Sequence, residues 1–219
     1  METLVNPSGP PQSDGQKDAR FYIPIILGST RRGRQSIKVA KFVHERMRRL
    51  AEVETELLDL LVYNFPIMEE RMRLRDDPPP CLREFADKIA RADSVVIVTP
   101  EYNNGYPGVL KNSLDYLLPE YRRKPIAIVT VSAGGFGGLT CLAQLRLVTL
   151  GMGAFPIPAS FPVSRVQDTF DDDGNPKDPR DEKRVQSFIA EVLWFTEAVA
   201  SQKQRERAAT LITKIDAHT

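Results

Sequence analysis

The chain of 219 residues carries 30 Lys and Arg against 29 Asp and Glu, a formal net charge of +1. That balance argues against a polyanion-binding domain, which needs a concentrated basic excess, and against a strongly acidic electron carrier steered to basic partners. Hydrophobic residues at 42% and charged residues at 27% fit one globular domain of ordinary size.

Residues 1–20 are expected to be a disordered leader. Met1 to Asp18 is polar, rich in Pro, Ser, Gly and Gln, and lacks the apolar centre of a signal peptide. No stretch approaches the ~18 uninterrupted apolar residues of a membrane helix. Cys81 and Cys141 lie far apart and in no metal-like spacing, which predicts a reducing compartment and no disulfide framework. A soluble, cytoplasmic protein is expected.

The main domain is expected over residues 21–200. It opens with Phe21-Tyr22-Ile23-Pro24-Ile25-Ile26-Leu27, an apolar run too short for a helix and suited to a strand buried on both faces. Pro24 removes one ladder donor from it. Ile37, Ala40, Lys41, Val43, His44 and Met47 follow with helical spacing, and Glu52 to Leu58 alternates as a half-exposed strand. Asp59 to Pro80, with Pro66 and Pro78-Pro79-Pro80, predicts a long loop. A helix is predicted over Cys81 to Arg91, a buried strand over Ser94 to Thr99, a helix over Gly108 to Leu118, and a buried strand from Pro125 to Val131. Leu139 to Leu150 predicts an apolar helix and Ala154 to Pro158 a short fifth strand. A last helix runs from Pro179 to at least Ala200, and residues 201–219 predict a charged helical extension or tail.

Strands alternating with helices imply a parallel sheet with right-handed crossovers. Five such strands match the α/β, doubly wound, flavodoxin-like architecture, with helices on both faces and ligands just past the carboxyl ends of the strands. The loops there are Gly28 to Ser36, Pro100 to Pro107 and Ser132 to Gly138. In the first, glycines allow a tight turn into a helix start, Ser29, Thr30 and Ser36 bring hydroxyls, and Arg31 adds a guanidinium fork. These are parts of an anion cradle, with a phosphate as the best-fitting guest. Solvated arginines at a basic helix start are the plain alternative.

Gly28 to Gly33 also matches the frame of the nucleotide-triphosphate loop, but Arg34 stands at its lysine and Gln35 at its metal-binding hydroxyl. The dinucleotide fingerprint is absent, since Gly135-Phe136-Gly137 fails at Thr140. In the second loop Asn103, Asn104 and Gly105 supply donors in a turn, while Tyr106 and Pro107 give flat apolar surface, a setting suited to a planar heteroaromatic ring with polar edges.

Three segments carry a family resemblance: Gly28-Ser29-Thr30-Arg31 with Gly33-Arg34 and Val39-Ala40, Pro100-Glu101-Tyr102-Asn103 with Pro107-Gly108-Leu110-Lys111-Asn112, and Ser132 with Gly134-Gly135, Gly138 and Gln144-Leu145-Arg146. Over Tyr22 to Ala200 the chain resembles the NADPH-dependent FMN reductase family. The resemblance implies a bound FMN and NADPH or NADH as co-substrate. Its cofactor-binding set would be Ser29, Arg31, Gln35, Ser36, Ile37, Pro100, Glu101, Tyr102, Asn103, Ser132, Gly134 and Gly135. Within it, Ser29, Arg31 and Ser36 would hold the phosphate, Pro100 to Asn103 would line the isoalloxazine ring, and Ser132, Gly134 and Gly135 would approach the ring's other polar edge. Relatives often carry glycine where Ser36 stands and tyrosine where Ala133 stands.

The resemblance further implies a ping-pong exchange. Reduced nicotinamide passes a hydride to the flavin, and a flavin, quinone, azo or metal acceptor then takes two electrons. That chemistry needs positioning more than an acid or base, so no catalytic residue is named. It also implies a homodimer or homotetramer with active sites at the subunit boundary, where Lys111, Asp115 and Tyr116 would pack. Arg32 and Arg34 are candidates for the 2′-phosphate of NADPH. An FMN-binding electron carrier or redox sensor with little turnover is the alternative, and a magnesium-dependent nucleotide hydrolase a third. No nucleic acid, membrane or metal partner is expected. Asp171-Asp172-Asp173-Gly174-Asn175 resembles a calcium loop but has Thr169 and Arg180 at the terminal ligand places, so a surface turn is expected. Trp194 is expected to pack the last helix.

Overall fold

The computed structural model describes residues 20–216, with side chains through Ala209. The expected leader otherwise lies outside the described residues. In chain order the elements are β1 (Phe21–Tyr22), β2 (Ile25–Leu27), α1 (Ser36–Arg48), β3 (Val53–Glu54), β4 (Leu57–Asp59) and α2 (Leu60–Tyr63). Then come α3 (Pro80–Arg91), β5 (Val95–Pro100), α4 (Gly108–Asp115), β6 (Pro125–Val131), α5 (Leu139–Gly151), β7 (Phe155–Val163), α6 (Val166–Thr169) and α7 (Pro179–Asp216).

The five-stranded sheet runs β4-β2-β5-β6-β7 and every pairing is parallel. Pro24 explains why the first apolar run appears as two short strands, β1 and β2. It has no N–H for the β5 side, although its carbonyl still accepts from Val96 N–H at 3.0 Å. On the other side the ladder continues, with the N–H groups of Phe21, Ile23 and Ile25 donating to the carbonyls of Glu52, Glu54 and Glu56.

The two-residue strand period builds two cores. Val96, Val98, Ala127 and Val129 face Phe42, Met47, Phe161 and Phe188 on the α1 and α7 side. Val95, Ile97, Ile126 and Ile128 face Phe85, Leu110, Tyr116 and Leu145 on the α3, α4 and α5 side. Both layers being covered is why these strands are continuously apolar.

Four details depart from the sequence reading. The predicted loop after Asp59 contains the single turn α2 and a short 3-10 turn at Met72–Leu74. The predicted helix to Leu118 stops at Asp115, because Pro119 disfavours helical backbone at the residue before it. The fifth strand continues past Pro158 to Val163. Phe155 donates to Lys124 and Val163 accepts from Ser132, so odd-numbered residues of β7 face β6. Pro156 and Pro162 therefore turn their missing donors to the free edge, the one place a strand tolerates them, while Pro158 lies where the β6–β7 register shifts between Ile126 and Ile128. At the free edge Arg146 and Arg184 each donate to an edge carbonyl, those of Pro158 and Pro162, at 2.6 Å. Finally, Trp194 does not pack inward. It meets Phe195 edge-on at 4.8 Å between centroids and is 63% exposed.

Candidate active site

β2 connects to β4 through α1 on one side, and the chain later crosses to β5 on the other, so the order reverses between β2 and β5. A crevice opens at such a switch point. Gly28 begins the first loop there, donating to Val98 O at 2.8 Å. A Cβ on it would stand 3.0 Å from Leu110 Cδ2 and 3.3 Å from Val98 O, so α4 and β5 pack close against this position. Ser29 is fully buried, its Oγ 2.8 Å from Tyr102 OH and 3.4 Å from the Arg31 N–H that donates to it.

The helix α1 then starts with neither a side-chain cap nor an acidic residue in its first turn. Among the described residues, three buried side-chain polar atoms have no partner, and two of them, Gln35 Oε1 and Ser36 Oγ, stand at this helix start. Ile37 follows, partly buried against the core.

Arg34 does not face outward as the expected partner of a dinucleotide phosphate. Its guanidinium clasps Asp59 with Nη1–Oδ1 at 2.6 Å and Nη2–Oδ2 at 2.5 Å, and Nη1 also donates to Ser29 O at 2.5 Å. This overturns the suggestion that Arg34 pairs with the 2′-phosphate, and it leaves the lysine place of the triphosphate frame without a free cation. Arg31 and Arg32 are exposed.

β5 delivers the second loop. Glu101 N–H donates to Val131 O at 3.0 Å, and its carboxylate accepts from Cys141 N–H at 2.9 Å, capping an α5 that lacks a side-chain cap of its own. Tyr102 and Gly105 exchange two main-chain bonds of 2.8 and 2.9 Å around Asn103 and Asn104, whose φ values are +49° and +63°. Positive φ at both central positions is the twisted hairpin turn that asparagine tolerates. It leaves Asn103 exposed and returns Tyr102 towards the first loop, with the Arg31 guanidinium 5.9 Å from its ring centroid. Burial and the nearby Glu101 carboxylate push the Cys141 thiol up to about 12, so it is no thiolate nucleophile at neutral pH.

The third loop is held from beneath. Ser132 N–H donates to Val163 O at 2.9 Å, Ser132 Oγ to Gly134 O at 2.8 Å, and Arg165 N–H to the same carbonyl at 3.0 Å. A Cβ on Gly134 would meet nothing within 4 Å, whereas one on Gly138, at φ +77°, would strike Thr130 Cβ at 2.9 Å. Gly138 serves the fold, and Gly134 leaves backbone open to a visitor.

Arg31, Gln35, Ser36, Pro100, Glu101, Tyr102 and Ser132 line one cleft. Ser29 lies behind Tyr102, while Ile37, Asn103, Gly134 and Gly135 are outside the immediate wall. Gly33, Arg34, Val131, Ala133 and Val166 complete that wall, and Val131 and Val166 were missed because nothing in their own segments signals a site. Asp59 was also missed; an acid ending a strand beside the first loop was the available signal. Two residues near the second loop turn out to be structural. Asn112 ties the loop after α2 to α4, accepting from Met68 N–H and donating to Pro66 O, each at 2.8 Å. Tyr116, expected at a subunit boundary, is 1% exposed in the core and donates to Pro66 O at 3.0 Å. Among the described residues no three His, Cys, Asp or Glu gather as a metal ion would require.

A five-stranded parallel sheet in this order, with a cleft between loops at its switch point, is the flavodoxin-like architecture. The NADPH-dependent FMN reductase family model matches residues 22–168. An NAD(P)H-dependent FMN reductase of Schizosaccharomyces pombe is 33% identical over 83% of this chain and 85% of its own length. A quinone reductase of Pseudomonas putida is 33% identical over 77% of this chain and 91% of its own. Among solved structures, the flavoenzyme NAD(P)H:acceptor oxidoreductase of Paracoccus denitrificans aligns with a TM-score of 0.65 at 25% identity, covering 83% of this chain and 98% of that one. The chain belongs to the NADPH-dependent FMN reductase family, and is thus an oxidoreductase whose chemistry joins FMN with reduced nicotinamide.

Proposed function

We propose that the cleft between the three loops holds FMN, and that the enzyme passes two electrons from NADPH or NADH to a flavin, quinone, azo or metal acceptor. One observation carries this reading: the pair of buried, partnerless atoms at the uncapped start of α1. Each such atom costs ~1–3 kcal/mol when left unsatisfied. The Ser36 hydroxyl can donate to a phosphate oxygen, and Gln35 Oε1 can accept from a sugar-alcohol hydroxyl. A ribityl phosphate brings both groups, so FMN fits this donor set. When bound, FMN supplies the two-electron redox chemistry.

The chain's own task is placement. Arg31, Ser36 and the first main-chain N–H groups of α1 would take the phosphate, with Ser29 holding Tyr102 from behind, and Pro100 to Asn103 would flank the ring. Ser132, Gly134 and Gly135 would offer main chain to its polar edge, with N–H groups placed to stabilise developing negative charge. The bond from Glu101 to α5 fixes the spacing of the second loop against the third. Relatives named as quinone reductases and as an NADPH azoreductase of a Bacillus species support the range of acceptors.

The reading extends to a homodimer or homotetramer, supported by Leu139, Leu147 and Leu150 standing 52%, 71% and 56% exposed along α5, which starts at the cleft. A cytoplasmic location is supported by two free cysteines. Among the described residues no helix is long and apolar enough to cross a membrane. Steady-state oxidation of NADPH with a benzoquinone acceptor, with and without added FMN, tests the function. Sustained turnover that depends on FMN is expected. Bound flavin without turnover would replace the enzyme with an electron carrier or sensor.

A further inference from the structure

We infer that Arg34 and Asp59 form a positioning clamp that sets the shape of the phosphate cradle, and with it the preference for FMN over riboflavin; this rests on the reading of the cleft as a flavin site. An arginine in a phosphate loop would ordinarily be taken for a phosphate ligand, but the geometry assigns this one elsewhere. Both terminal nitrogens face both oxygens of Asp59, at 2.6 and 2.5 Å, and Nη1 also reaches Ser29 O at 2.5 Å. The two side chains are only 12% and 19% exposed. Asp59 is itself fixed, since its Oδ1 accepts from Leu61 N–H at 2.9 Å and so caps α2.

The fork therefore spans the base of the loop. It ties Ser29, at the loop's beginning, to the end of the neighbouring strand β4, while Arg34 N–H closes the turn onto Arg31 O at 3.2 Å. Ser29 and Arg31 precede the clamp in sequence and Ser36 follows it, so the cradle is strung around this one ion pair. With its charge matched by Asp59 and its fork committed, Arg34 attracts a phosphate weakly but holds in register the groups that do. A bidentate planar fork is needed for this, and a lysine ammonium cannot reproduce it.

FMN and riboflavin differ only by the phosphate, so the test titrates the full chain with each flavin by fluorescence quenching, alongside thermal melting. The variants are R34K and D59N. The clamp predicts that both weaken FMN by roughly tenfold or more and leave riboflavin within about twofold of the parent. R34K keeps the charge, so a parent-like FMN affinity in R34K would mean that charge rather than the fork matters, and would overturn the inference. Tighter FMN binding in D59N would also overturn it, because freeing a phosphate-binding arginine should help. Equal losses for both flavins, in step with a lower melting temperature, would reduce the pair to general fold support and overturn the specificity role. If the parent itself binds neither flavin, the reading of the cleft fails, an outcome separate from any failure of the clamp.

Discussion

Ser36 buries a hydroxyl that the folded chain leaves without a partner. Removing it should relieve a cost in the flavin-free protein and forfeit a donor to the phosphate. S36A is therefore expected to melt at the same or a higher temperature than the parent while binding FMN about tenfold more weakly, or ~1.4 kcal/mol. A variant that lost stability instead would show that the hydroxyl is satisfied inside the fold. The two glycines of the third loop make a matched pair. G138A places a Cβ 2.9 Å from Thr130 Cβ at a φ of +77°, and is expected to lose about 2 kcal/mol or more in a urea titration. G134A meets open space and should hold its stability within ~0.5 kcal/mol, yet bind flavin less well. At this scale much was readable in the sequence. That Arg31, Gln35 and Ser36 would share one cleft with Pro100, Glu101, Tyr102 and Ser132 follows from loops placed at the strand ends. Which atoms stay unpaired does not, because that depends on what packs around Ser36 and Gln35.

Among the elements, α5 and α3 show how the loops and ends are held. Glu101 caps α5 from the second loop, so E101A should cost about 1 kcal/mol of stability, with E101Q, which keeps an acceptor, close to the parent. At the other end of the sheet Lys124 donates to Ala90 O at 2.8 Å and also to Ala92 O, closing the last turn of α3 from the start of β6. Burial lowers its pKa to about 8, with Lys203 adding repulsion and Asp93 and Glu120 opposing it. An unfolded lysine titrates near ~10.4. Between those values the unfolded chain holds a proton that the folded chain has released, so stability due to this group rises with pH. The stability difference between the parent and K124M should accordingly move in the parent's favour from pH 8 to pH 10, and a flat difference would contradict the account. The helices and buried strands were legible from their periodicity. The extra length of β7 was not, because prolines end a strand in the interior and are harmless at a free edge, and only the sheet order reveals that β7 is that edge.

For the whole molecule, alternation of strands and helices along the chain was enough to place the three loops at one end of a doubly wound sheet. The Arg34–Asp59 pair stayed hidden because it joins residues 25 apart that meet only once β4 lies beside β2. The exposed Trp194 has the same lesson: a helix position can look apolar in sequence and still face away from the core. The apolar face of α5 belongs to this scale too. If it is the surface between copies, L147K should lower the oligomeric state measured by light scattering while leaving the melting of the monomer fold in place.

The most direct test of the central claim, that the cleft binds FMN and draws electrons from reduced nicotinamide, is the visible spectrum of the purified protein before and after anaerobic NADPH. The account predicts yellow protein, or protein that takes up added FMN, with bands near ~375 and ~450 nm that NADPH bleaches. A colourless protein that refuses FMN, or a flavin that both NADPH and NADH leave oxidised, would contradict it.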